Sequence, residues 1–132
     1  MKPKTLLTIS SLLLILLSTF HLAHDMVYGW EPGTLRNLWA LPIFVVWLYG
    51  TLALRERLSG YIIMLVGSLL ALAIPIVHMS GKGIGVASRV ASSNGHFFFV
   101  WTLITLGVIG LFALVLSVRG LWKGEWRQPS VV

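Results

Sequence analysis

Cysteine is absent from the 132 residues, which excludes disulfides, iron–sulfur clusters and thiolate metal sites. Any metal site must draw on His, Asp, Glu, Met or backbone oxygen. Acidic residues are almost as scarce: four Asp and Glu stand against ten Lys and Arg, for a formal charge of +6. Charged residues make up only 11% of a chain that is 57% hydrophobic, a balance too apolar for an ordinary soluble domain. The chain reads as an integral membrane protein. Its cations lie between apolar runs and form no single basic patch, so no nucleic-acid partner is expected and topology accounts for them.

Four apolar runs, at about 5–28, 35–54, 59–79 and 96–118, each offer about 20 residues or slightly more, enough to cross a hydrocarbon core of about 30 Å. The first follows a short basic lead, as a signal peptide would. It is longer than a signal core and no small-x-small cleavage site follows it, so a retained helix is expected. Gly29-Trp30-Glu31-Pro32-Gly33-Thr34 carries the turn residues of a short connector, and Arg55-Glu56-Arg57 marks a return to water. Pro42 is expected to kink the second span without ending it, and Pro75 stands one turn before His78. Residues 80–95 form an outer loop rich in Gly and Ser, and 119–132 a basic tail whose Trp122 and Trp126 suit anionic inner-leaflet lipid. The glycines of Gly81-Lys82-Gly83-Ile84-Gly85 follow no strand and read as flexible loop, with 84–90 a candidate short helix over the outer end.

The expected architecture is one all-α domain, an antiparallel four-helix membrane bundle with both termini cytoplasmic. Charge sets that orientation: Lys2, Lys4, Arg55, Arg57, Arg119, Lys123 and Arg127 would lie inside, and only Arg36, Lys82 and Arg89 outside. The expected location is the bacterial inner (plasma) membrane.

The polar centre of the chain is His21-Leu22-Ala23-His24-Asp25, near the end of the first run. At about 100° per residue, His21, His24, Asp25 and Tyr28 share one helix face. Ionisable groups at membrane depth are costly and should face protein or water. In the N-in topology His21 and His24 lie in the outer part of the first span, His78 ends the third and His96 opens the fourth. All four histidines thus converge on the outer leaflet, with Asp25, Met26 and Met79. Small residues let membrane helices approach closely, so the sector of Gly60, Gly67, Ala71 and His78 should face inward, as should His96 with Gly107 and Gly110. Ser10 and Ser18 fall roughly under His21 and Asp25.

Neutral imidazole is a common ligand of zinc, copper and iron, and a neighbouring carboxylate can ligate or fix a ring tautomer. His21, His24, Asp25, His78 and His96 are therefore the expected ligand set of a transition metal: zinc at a tetrahedral site, or copper if the thioethers of Met26 and Met79 take part. The expected function is to hold that metal, in metal handling or as an accessory subunit of a larger membrane complex; self-association is a further expectation. Three alternatives stand beside it. A metal-free His/Asp network would make the chain a structural subunit. Haem or another tetrapyrrole between two facing histidines, walled by Phe97, Phe98, Phe99 and Trp101, would make it a redox subunit, although the ligands lie close to the surface and not mid-helix. A metal-bound water with Asp25 as base and Ser92 or Ser93 nearby resembles, in residue types only, the zinc sites of membrane hydrolases that act on lipid amides.

Overall fold

The computed structural model describes residues 1–29, 31–79 and 96–127, with all their side chains except those of Met79 and His96. The expectations for the 80–95 loop, including Ser92, Ser93 and the short helix at 84–90, lie outside the described residues. Among those residues all regular structure is helical: α1 (Pro3–Val27), a 3-10 turn (Leu35–Trp39), α2 (Ala40–Leu52), α3 (Leu58–Met79), α4 (His96–Trp122) and a closing 3-10 turn (Glu125–Arg127).

Local chemistry sets the boundaries. Pro3 occupies the first turn of α1, where its missing N–H costs nothing, and the Lys2 carbonyl accepts from the amides of Thr5 and Leu6 at 3.0 and 3.2 Å. The helix stops at Tyr28, and Gly29 takes the left-handed conformation (φ 70) that reverses the chain. The connector then folds back: the Glu31 N–H donates to the Asp25 carbonyl at 3.1 Å. The second span runs helically from Leu35 to Leu52, so Pro42 does not end it, as expected. A 3-10 turn stabilised by Asn37, whose Oδ1 accepts from the Thr34 N–H at 3.0 Å, leads into α2, so Pro42 sits in the first helical turn, where its N–H has no partner to lose. α4 in turn runs to Trp122, four residues past the expected end of the span at 118.

The buried faces are laid out by small residues. The Trp47 ring of α2 lies where a Cβ on Gly67 of α3 would stand, and the Tyr61 ring of α3 lies where one on Gly120 of α4 would. A polar knot ties α1 to α2: the Trp47 indole N–H donates to Ser11 Oγ at 2.8 Å, and Ser11 Oγ lies 2.7 Å from Thr51 Oγ1. Thr51 spends its own proton on the Trp47 carbonyl at 2.8 Å, so Ser11 is the donor in that pair. Ser11→Ala is expected to destabilise the bundle by about 1 kcal/mol, the scale of interhelical hydrogen bonds in membranes, read as an earlier midpoint in detergent unfolding. An unchanged midpoint would count against the knot.

Burial is inverted relative to a water-soluble bundle. Ser10, Ser11, Ser18, His21, His24, Asp25, Thr51, Ser68, Thr102 and Ser117 are buried, while Leu13, Leu16, Val45, Val66, Ile104, Val108, Leu111 and Val115 are exposed. Four helical segments are long and apolar enough to cross a membrane: Pro3–Val27, Leu35–Leu52, Leu58–His78 and Phe97–Trp122. Such apolar surface belongs in lipid. α4 packs extensively on both α1 and α3, whereas α1 and α3 touch each other little and α2 lies against α3 and α1. At the far end Trp122 is exposed and Trp126 packs partly buried against the core, with the Arg127 guanidinium 4.6 Å from its ring centroid.

Candidate metal centre

Three elements meet where α1 and α3 end and α4 begins. His21 and Asp25 are one turn apart on the buried face of α1, and His78 is on the last turn of α3. His21 Nε2 lies 3.0 Å from His78 Nε2 and 3.6 Å from Asp25 Oδ2, and His78 Nε2 lies 3.9 Å from the same Oδ2. His21 and Asp25 are buried and His78 is nearly so. The Phe99 ring of α4 closes the site from one side, its centroid 5.2 Å from His21 and 5.3 Å from His78.

Those three separations fix a circle. A triangle with sides of 3.0, 3.6 and 3.9 Å has its circumcentre inside it, about 2 Å from every corner, which is the length of zinc–imidazole and zinc–carboxylate bonds. A cation at that point would lie within bonding distance of two imidazole nitrogens and one carboxylate oxygen.

The His21 ring is oriented from behind. Its Nδ1 lies 3.2 Å from Thr102 Oγ1, and that hydroxyl donates to the Phe99 carbonyl at 2.9 Å. With its single proton committed, Thr102 can only accept from His21. The network therefore assigns the proton of His21 to Nδ1 and turns the Nε2 lone pair toward Asp25 and His78, the arrangement that ligating histidines owe to their outer partners. Thr102→Val is expected to weaken metal binding about 10–100-fold, with Thr102→Ser restoring most of it, as measured by competition with a chromogenic chelator. Equal affinity in the Val and Ser variants would remove Thr102 from the site.

His24 stands apart from this group of ligand atoms. Its ring stacks on Tyr28 with centroids 4.4 Å apart and its Nδ1 is 3.8 Å from Asp25 Oδ1, the oxygen turned away from the other two histidines. That Oδ1 is buried and has no hydrogen-bond partner among the described residues. His24→Ala is thus expected to leave metal stoichiometry unchanged in elemental analysis; loss of metal would return His24 to the ligand set. Met26 lies one residue beyond Asp25 on α1, its Cβ and Cγ about 4 Å from where a Cβ on Gly33 would stand. The fifth expected ligand, His96, opens α4, and its side chain is among those not described.

Comparison with protein-family models, with curated proteins and with solved structures finds no match. Chemistry therefore has to be read from the geometry alone. A tetrapyrrole between His21 and His78 does not fit: two axial nitrogens stand about 4 Å apart across an iron, with the whole macrocycle between them, and these two are 3.0 Å apart with Asp25 and Phe99 beside them. Thr102 was not singled out from the sequence, and Phe99 was expected only as a wall of a tetrapyrrole pocket. Their signal was present in the spacing of Phe99, Thr102, Leu106 and Ala113, which recur at three, four and seven residues on the buried face of α4.

Proposed function

We propose that this protein holds a divalent transition metal, with His21, His78 and Asp25 as its protein ligands, at one end of a four-helix membrane bundle. The observation that carries the reading is the common point about 2 Å from two imidazole nitrogens and one carboxylate oxygen on two helices. Two imidazoles and one carboxylate favour zinc over copper(I). Thr102 would orient His21, and Phe99 would keep bulk water from the ligand plane. When bound, the metal would supply a Lewis acid with an open position, which suits metal handling, transfer within a larger membrane complex, or activation of a water.

The charge pattern supports an antiparallel bundle with both termini on the cytoplasmic side of a plasma membrane and the metal site near the outer face. The contacts agree with alternating directions: the end of α1 meets the start of α4 through His21 and Thr102, and Gly60 at the start of α3 abuts Leu54 just past the end of α2.

The same distances would also serve a metal-free hydrogen-bonded network, since 3.0 Å between the two Nε2 atoms is a good hydrogen bond. Elemental analysis of the gently purified protein separates the two. About one equivalent of metal, or a characteristic absorption after Co(II) substitution, is expected; no binding after challenge with zinc, cobalt and copper would leave the network as structure.

A further inference from the structure

A second feature, independent of the metal site, lies on the outer surface of the bundle. α2 and α3 part to leave a cleft of about 600 Å³, walled by Trp39, Val46, Trp47, Val66, Gly67 and Leu70 among others, and almost wholly apolar. That volume is within the range of ligand clefts, about 300–1,000 Å³. Trp47 forms its floor against Gly67, and the indole N–H is already given to Ser11, so the cleft offers no donor there. Because it opens between two membrane-capable segments, its natural occupant is hydrocarbon.

The mouth of the cleft adds a charge. In a 3-10 turn, side chains three residues apart eclipse one another, so Arg36 shares the face of Trp39, and Trp39 lines the cleft. Arg36 is exposed and makes no ion pair among the described residues. An exposed cation one 3-10 turn before an aromatic residue that lines an apolar slot, at the end of a span, matches an amphiphile with an anionic head and a hydrocarbon tail. We propose that the cleft between α2 and α3 holds one tail of a bilayer phospholipid whose anionic headgroup is bound by Arg36.

The test uses the full chain reconstituted with equal phosphatidylglycerol and phosphatidylcholine, extracted in mild detergent and examined by native mass spectrometry. One phosphatidylglycerol per chain is expected, favoured over phosphatidylcholine by about fivefold, the scale of one cation near an anionic headgroup. Arg36→Gln should erase the preference while keeping the tail. Val46→Trp should fill the slot and reduce retention of both lipids, with helicity unchanged by circular dichroism; Leu70→Trp provides a second plug from α3 should Val46→Trp not fold. Equal retention of the two lipids by the parent chain, retention of neither, or retention that both plugs leave intact would overturn the proposal. A dimer that the plugs split would also overturn it, giving the cleft to a second copy.

Discussion

Alanine at both His21 and His78 is expected to strip the metal from the protein and lower its affinity by well over 100-fold. The reasoning compares two classes of contact. Removing an outer partner of a metal site typically costs 10–100-fold, and these imidazoles supply two of the three bonds themselves. Asp25→Asn tests the third bond at nearly constant volume, exchanging an anionic ligand for a neutral amide, and should also fall below the Thr102→Val variant. The measurement is metal stoichiometry with chelator competition on folded protein, judged by circular dichroism. Thermal stability gives a second readout: a ligand at 100 times its dissociation constant stabilises the folded state by about 2.7 kcal/mol, so added zinc should raise the unfolding midpoint of the parent and not of the double variant. Since imidazole and carboxylate ligate in their unprotonated forms, acidification should release the metal and erase that increment. One equivalent of metal in the double variant would end the assignment.

Gly60→Ala is expected to be the most damaging single-carbon change in the fold. An added Cβ there would fall on the backbone carbonyl of Leu54, close to the Gly50 carbonyl as well. A flexible side chain could swing aside, but a main-chain carbonyl in the tight α2–α3 turn cannot, where the Arg57 N–H also donates to the Leu54 carbonyl at 2.8 Å. Overpacking of this kind costs about 1–3 kcal/mol. Gly107→Ala is the internal control, because its nearest neighbour would be Pro75 Cγ at 3.9 Å, ordinary contact distance. Detergent unfolding midpoints should separate the two; equal midpoints would show that the turn yields.

Much of this architecture was legible in the chain because two signals agree in a membrane. Long apolar runs give the spans, and small or polar residues within them mark the faces that pack, as Gly67, Ala71 and His78 do on α3 and Ser18, His21 and Asp25 on α1. The pairing of His21 with His78 followed from shared depth. Sequence could not say which of His21 and His24 would point at His78, because three residues turn a helix by about 300° and the choice depends on how α1 is rotated against α4. Thr102 was hidden because a threonine in an apolar helix usually bonds its own backbone, and it does so here at Phe99 while also serving His21. Sequence also did not show that the second span would open as a 3-10 turn, which the Thr34–Asn37 pairing closes and which leaves Pro42 in the first turn of α2. The short turn after Gly124 carries Trp126 back onto the core, a packing the sequence did not show.

The division of labour among the helices also has a consequence for biogenesis. α1 and α3 carry the candidate ligands yet touch little beyond the His21–His78 pair; each is held in place chiefly by α4, the last of the four to be synthesised. A nascent chain with three spans inserted already owns His21, Asp25 and His78 but lacks the helix that brings them to one point. If the site takes a metal as proposed, capture would wait until α4 is in place, which would make loading a post-insertional event and a checkpoint for the finished bundle.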